Sequence, residues 1–124
     1  MIPVTFNGLM GKLHLPAGVA PSGIGVVIVP PHGVEALAAT KSLRVLADAL
    51  AAAGHAALRF DLPGTADSLG DDTDPERLTA WTASVGQAAE VLRRHAGVSA
   101  IVFAGLRFGA TIAALAAQSD PAPA

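Results

Sequence analysis

The stretch Val102–Ala110, VFAGLRFGA, carries the pattern in this sequence that points most directly to chemistry. Gly105 and Gly109 stand two positions before and after Arg107, between an apolar run typical of a buried strand and a run typical of a helix. This is the spacing of a nucleophile elbow, the sharp strand-to-helix turn that presents a catalytic side chain. Glycine is required on both sides because strand and helix approach too closely for side chains there. The sequence therefore predicts an elbow, but one whose centre is an arginine.

Residue order excludes a hydrolytic triad built on this elbow. The arginine side chain stays protonated, so it cannot act as a nucleophile. In sites of this kind the acid and the histidine follow the nucleophile along the chain. After Arg107 this sequence has Ser119 and Asp120 in a proline-flanked tail, but no histidine. All four histidines precede the elbow: His14, His32, His55 and His95. Ser84 and Ser99 lack flanking elbow glycines, so we discount both as nucleophiles.

The elbow arginine has two interpretations. The start of a helix favours an anion, through its free N–H groups and its dipole, and a guanidinium adds a fork of donors. We therefore expect Arg107 to help bind a carboxylate or a phosphate, beside the N–H groups of Val34 and Phe108. In the alternative, the arginine extends into solvent or pairs with Asp61 or Asp67.

Other candidate groups each have a plain structural alternative. His32 in PPHG is consistent with a turn histidine packed beside proline. Asp67 and Ser68 could line a cleft together with Asp61, but such residues often hydrogen-bond within their own turn.

Metal and cofactor sites are not predicted. The acidic run at Asp71, Asp72 and Asp74 lacks the glycine and terminal glutamate of a calcium loop, so a solvated helix entry is the better interpretation. The histidines lack zinc-ligand spacing. Gly23 and Gly25 precede the first parallel strand, whereas a dinucleotide fingerprint would follow it.

Composition limits the remaining classes of protein. The chain has 124 residues, of which 52% are hydrophobic and 4% aromatic, and a net charge of −2, so one folded domain without a nucleic-acid-binding surface is expected. Cysteine is missing, which removes disulfides and thiolate catalysis. The first ten residues lack the pattern of a signal peptide, and no apolar run could span a membrane, so we expect a cytoplasmic protein.

Periodicity predicts strands that alternate with helices. The predicted elements are strands Pro3–Phe6 and Leu9–Leu15 around an Asn7-Gly8 turn, strand Gly25–Val29, helix Ala39–Ala53, strand His55–Leu62, a helix from Asp74-Pro75 to Gly97, strand Ser99–Ala104 and helix Ala110–Gln118. The first helix is predicted to bury Ala39, Leu43, Leu46, Ala47, Leu50 and Ala53, and the second Leu78, Trp81, Val85, Ala88 and Leu92. This order predicts an α/β fold with a mostly parallel sheet, whose later strands are of a buried type.

Three segments together resemble the α/β-hydrolase superfamily of the serine aminopeptidase-like type. VIVPPHGV places His32-Gly33 after the first parallel strand, where the superfamily has the loop that donates one oxyanion N–H, so the resemblance implies that His32 could orient this loop. RFDLPGTADSLGD, residues 59–71, is similar to the superfamily's Asp-x-x-Gly-x-Gly-x-Ser segment, with Ala66 in place of a glycine. GLRFGA, residues 105–110, resembles the Gly-Leu-Arg-Leu-Gly-Ala elbow of a subgroup that is partly associated with exosortase systems. The resemblance covers nearly the whole chain.

The resemblance implies a three-layer αβα domain that corresponds to the N-terminal half of the hydrolase fold. Residues 1–118 would form this truncated domain and residues 119–124 a flexible Pro/Ala tail. The implied strand order is 1-2-4-3-5, which leaves strand Ser99–Ala104 at an open edge. We therefore expect self-association or binding of a complementary fragment through residues 99–104.

Three hypotheses of function follow. The chain belongs to a protein that in complete form hydrolyses an ester, thioester or amide, although it is inactive alone; or it is a non-catalytic module that binds a small acyl or anionic ligand; or it is a non-functional gene fragment. Ester hydrolysis by the complete form separates the first hypothesis from the others, as does a neighbouring coding region that supplies an aspartate and a histidine.

Overall fold

The computed structural model describes residues 1–30, 34–61, 77–105 and 108–119, with 34–39, 77–78, 108 and 119 described as backbone alone. Its elements in chain order are β1 (Ile2–Phe6), β2 (Leu9–His14), β3 (Ile24–Val29), α1 (Val34–Ala52), β4 (Ala56–Phe60), α2 (Arg77–Ala96), β5 (Ala100–Gly105) and α3 (Phe108–Ser119). The five strands form one sheet in the order β1-β2-β4-β3-β5. The predicted fold class and strand order are both confirmed.

The sheet combines an antiparallel hairpin with three parallel strands. Asn7 and Gly8, with φ of 52° and 79°, form the tight turn that joins β1 to β2. The sequence predicted this turn, because asparagine and glycine tolerate positive φ. β2 then pairs antiparallel with β4, while β3 pairs parallel with both β4 and β5.

Helices α2 and α3 cover one face of the sheet and enclose most of the buried core. The strands contribute alternate apolar side chains, among them Leu13, Leu58 and Ile101. From α2, the buried residues Trp81, Val85, Ala88 and Leu92 pack against them, as predicted for those four positions. The predicted helix start at Asp74-Pro75 lies outside the described residues, and Gly97, with φ of 62°, follows the helix end.

Helix α1 covers the opposite face less completely. Ala47 packs with Val26, Ile28 and Ala57 in a second, smaller apolar cluster. Leu43 and Leu50 pack against this cluster as predicted. Gly54, whose φ is 97°, lies two residues after the end of α1.

Two residues predicted for the inner face of α1 lie outside it. Leu46 is 42% exposed because it lies on a flank of the helix that none of the described elements covers, and Ala53 is exposed beyond the helix end. The helix also begins at Val34, five residues earlier than predicted.

Strand β5 differs from the buried type that its sequence predicts. Ile101 is buried, but Val102 is 37% exposed and Phe103 and Ala104 are only half-buried. The reason is positional. Among the described strands, β5 is the last in the sheet and pairs only with β3, and α3 packs on it from one face while α1 lies over β4.

Candidate functional site

The carboxyl ends of β3 and β5 bring two helix starts to one edge of the sheet. Val29 and Gly105 are register partners, so the neighbouring strands end side by side. α1 begins at Val34 shortly after β3, and α3 begins at Phe108 shortly after β5. The carboxyl edge of a parallel sheet is where α/β folds bind their ligands. Both helices therefore begin at the edge where the sequence predicts an anion site.

Two glycines allow α3 to approach the strands closely. A Cβ atom on Gly109 would lie 2.5 Å from the carbonyl oxygens of both Val29 and Pro30. A Cβ atom on Gly105 would overlap the carbonyl oxygen of Gly109 and lie 2.6 Å from the Cα atom of Ala110. Neither position has room for a side chain, which is the steric reason that the spacing of these glycines suggested.

Several predicted site residues lie outside the described residues: Arg107, His32, Gly33, Asp67 and Ser68. Val34 and Phe108 are described as backbone and each begins a helix, as the anion hypothesis requires of their N–H groups. Asp61 directly follows β4, and its N–H donates to the carbonyl oxygen of Met10 at 3.0 Å. The structure thus brings together the two glycines and the two helix starts.

The two discounted serines have structural roles. Ser84 is fully buried within α2, where its hydroxyl donates to the carbonyl oxygen of Trp81 at 2.5 Å. The hydroxyl of Ser99 donates to the carbonyl oxygen of Gly23 at 3.3 Å, beside the start of β5. Neither serine lies at a strand-to-helix turn, in agreement with their exclusion as nucleophiles.

A polar cluster on the α1 face was not predicted from the sequence. His14 of β2 lies between Asp48 of α1 and Arg59 of β4, at 2.7 Å and 3.0 Å. Burial lowers the pKa of His14 from its ordinary value, and the nearby Arg59 acts in the same direction, while the Asp48 hydrogen bond opposes them. Burial also lowers the pKa of Arg59. The sequence feature that could have revealed this cluster is Arg59, a charged residue inside the otherwise apolar strand β4.

Within the described ranges, no three histidine, aspartate or glutamate side chains are grouped as metal ligands. The acidic run at Asp71, Asp72 and Asp74 lies outside those ranges. No helix in the described part of the chain is long and apolar enough to cross a membrane.

Comparisons with known proteins find similarity in structure alone. No protein-family model and no curated protein matches the sequence. An α/β serine hydrolase without a lid from Xanthomonas campestris, XC6422, superimposes with a TM-score of 0.79 at 22% identity, over 95% of this chain and 56% of that one. An α/β serine hydrolase homologue from Coxiella burnetii gives 0.73 at 24% identity, over 98% of this chain and 58% of that one.

A third similar structure has a ligand. Est1E from Butyrivibrio proteoclasticus, bound to ferulic acid, gives a TM-score of 0.69 at 21% identity, over 96% of this chain and 47% of that one. The chain therefore spans about half the length of the solved structures that it matches. Identities at this level show a common fold.

Proposed function

Because this chain has the fold of the N-terminal half of an α/β-hydrolase, we propose that it contributes an anion-binding site at the carboxyl edge of its sheet and does not catalyse serine-type hydrolysis by itself. In complete members of that superfamily the same edge supports hydrolysis of esters, thioesters or amides. The observation that carries the proposal is the junction of β5 and α3, where a Cβ on Gly109 would lie 2.5 Å from the carbonyl oxygens of Val29 and Pro30. Arg107 falls between these two elements in the sequence.

The chemistry of this edge favours anion binding. The first N–H groups of a helix have no partners within the helix, and the helix dipole places partial positive charge beside them. Two helices begin at neighbouring strand ends here, α1 at Val34 and α3 at Phe108. A carboxylate would accept from those N–H groups and from the Arg107 guanidinium. We also propose that the protein is located in the cytoplasm.

The absence of a nucleophile argues against hydrolysis by this chain. Arginine keeps its proton at any pH at which the protein is folded, so it has no electron pair with which to attack a carbonyl carbon. It can hold a carboxylate or a tetrahedral oxyanion, but the acid and base of a triad would have to come from elsewhere. The expected activity of the isolated chain is therefore ligand binding without turnover.

The binding test is calorimetric titration with butyrate and with inorganic phosphate, at low ionic strength. Replacing Arg107 by alanine removes a charge-assisted contact, so affinity should fall about tenfold. Arg94→Ala is the matched control, because Arg94 is exposed in the last turn of α2. Equal affinities for the wild type and Arg107→Ala would contradict the proposal, as would an equal loss in the control.

A second assay addresses catalysis directly. The wild type and Arg107→Ala should release p-nitrophenol from p-nitrophenyl butyrate at the same background rate. Turnover by the wild type that disappears in Arg107→Ala would show a catalytic role for the arginine. That result would contradict the non-catalytic part of the proposal and leave the anion site intact.

The free edge of β5 supports a related proposal about a partner. The strand carries no charge or proline that would prevent pairing, Val102 is exposed, and Leu46 is exposed on α1. The solved structures of this fold are nearly twice as long as the chain. We infer that a complementary α/β segment completes the domain. Its strand would pair with the edge of β5, and its apolar helix would cover the exposed side chains beside that edge.

The partner proposal is tested by expressing the chain with the segment encoded beside it. The two should purify in a 1:1 complex, and Val102→Lys should weaken it because a charge would enter the apolar contact. Val45→Lys is the control, since Val45 is an exposed residue of α1. A dimer of the chain alone, or a cooperatively melting monomer that does not bind the segment, would overturn the proposal.

A further inference from the structure

We propose that His14 is an acid-sensitive latch that fastens the β1–β2 hairpin to α1 and β4. Its side chain is only 2% exposed, and both ring nitrogens have a hydrogen-bond partner. Nδ1 lies 2.7 Å from the Oδ1 atom of Asp48, and Nε2 lies 3.0 Å from the Nε atom of Arg59. One imidazole therefore connects three elements that are distant in sequence.

The partners of the ring assign its protonation state. An arginine side chain can only donate hydrogen bonds, so Nε2 of His14 must be the acceptor and carries no proton. The proton of the neutral ring then lies on Nδ1 and is donated to the Asp48 carboxylate. The arrangement thus requires the neutral ring in a single tautomer.

A second proton has no suitable place in this arrangement. It would have to bind Nε2, where it would displace the hydrogen bond from Arg59 and bring two cations together at a part-buried site. The charged groups that act on the ring are Asp48 of α1, Arg59 of β4 and the N-terminal amine. Arg44 and Asp61 act on Arg59, and Lys12 of β2 is the register partner of Arg59. Arg59 and the N-terminal amine disfavour the protonated ring, while Asp48 favours it.

The direction of the pH effect follows from the lowered pKa of His14. Its ordinary value is 6.5, and the folded state holds it below that value. The unfolded chain therefore binds the proton more readily than the folded chain. The stabilisation by the latch is complete above about pH 6.5 and is lost as the pH falls from there through the folded pKa.

The hairpin is the part that acid should loosen. Within the described sheet, β1 pairs only with β2, and β2 joins the other strands only through β4, beside the latch. Arg59 also donates to the Sδ atom of Met1 at 3.0 Å, so the start of the chain depends on the same guanidinium. Strand β3 has partners on both sides, whereas the hydrogen bonds of the cluster join β2, β4 and α1.

The test is hydrogen exchange of backbone amides at pH 8 and pH 5, corrected for intrinsic rates. Protection of β2 amides should fall relative to β3 amides, by up to tenfold for each pH unit between the folded and unfolded pKa values of His14. His14→Gln should abolish this difference, because an amide offers a donor and an acceptor but does not titrate. His95→Gln, at an exposed position of α2, should keep it.

Two results would overturn the proposal. One is an equal loss of protection in β2 and β3. The other is an unchanged pH dependence in His14→Gln. If that variant fails to fold, NMR titration of the wild-type ring decides: the latch requires the Nδ1–H tautomer and a pKa below 6.5, and a value at or above 6.5 contradicts it.

Discussion

The two faces of the sheet are built on different principles. The face covered by α2 and α3 is closed and apolar, with Leu58, Leu92 and Ile101 fully buried. The face under α1 has a smaller apolar cluster beside the polar group of His14, Asp48 and Arg59. One face therefore supplies mainly hydrophobic stabilisation, while the other adds hydrogen bonds that depend on pH.

Strand alternation produces this difference. In β2, Leu9 and Leu13 point to the closed face, whereas His14 points to the α1 face. In β4, Leu58 points to the closed face and Arg59 to the α1 face. The register pairs Lys12 of β2 with Arg59, so the polar positions of the two strands lie beside each other. Because side chains alternate along a strand, a single register determines the character of both faces.

The largest effect that would sharpen this comparison is expected at the closed face. Leu92→Ala should lower the free energy of unfolding by about 2–5 kcal/mol, because it leaves a cavity in a tightly packed region. Leu46→Ala on α1 should cost less than about 1 kcal/mol, since that side chain is 42% exposed. Urea denaturation of both variants measures the difference, and equal losses would contradict the expected contrast between the buried Leu92 and the exposed Leu46.

The second prediction has a smaller expected effect and tests how closely α3 packs against the strands. Gly109→Ala should destabilise the protein by about 1–3 kcal/mol, because the new methyl group would meet two backbone carbonyl oxygens. Gly86→Ala is the matched control within α2, where a Cβ has no neighbour within 4 Å. That change should stabilise by about 0.5–1 kcal/mol through helix propensity. If both substitutions shift the melting temperature in the same direction, the expected contrast is contradicted.

The smallest effect concerns the polar face. At pH 8, Asp48→Ala should cost about 0.5–1.5 kcal/mol, since it removes the acceptor of the His14 hydrogen bond from a partly exposed site. Asp48→Asn should cost less, because its side-chain oxygen can still accept from Nδ1. If both variants unfold at the wild-type urea concentration, the polar cluster contributes nothing to stability.

Much of the architecture was predictable because it depends on local patterns. The continuous apolar run of β3, the Asn7-Gly8 turn and the spacing of Trp81 and Val85 each predicted the observed element. The exposure of Leu46 was not predictable in this way. It depends on which neighbouring element covers a helix flank, and helical periodicity does not contain that information.

The candidate site was predictable only in outline. The glycine spacing anticipated the close approach of Gly105 and Gly109 to neighbouring backbone. The role of Arg107 stays a prediction, because Arg107 lies outside the described residues. The sequence did not reveal the pairing of His14 with Asp48, because these residues are 34 positions apart and local patterns do not contain such contacts.

The position of β4 in the sheet has a consequence for folding. β2 and β3 follow one another in sequence, yet β4 lies between them and pairs with both. The β1–β2 hairpin can form locally within microseconds, but it has no neighbour to join until Phe60 is available to pair with Gly11. During synthesis, β2 and β3 must therefore remain apart until β4 has emerged from the ribosome, and early pairing between them would be an error that has to be undone.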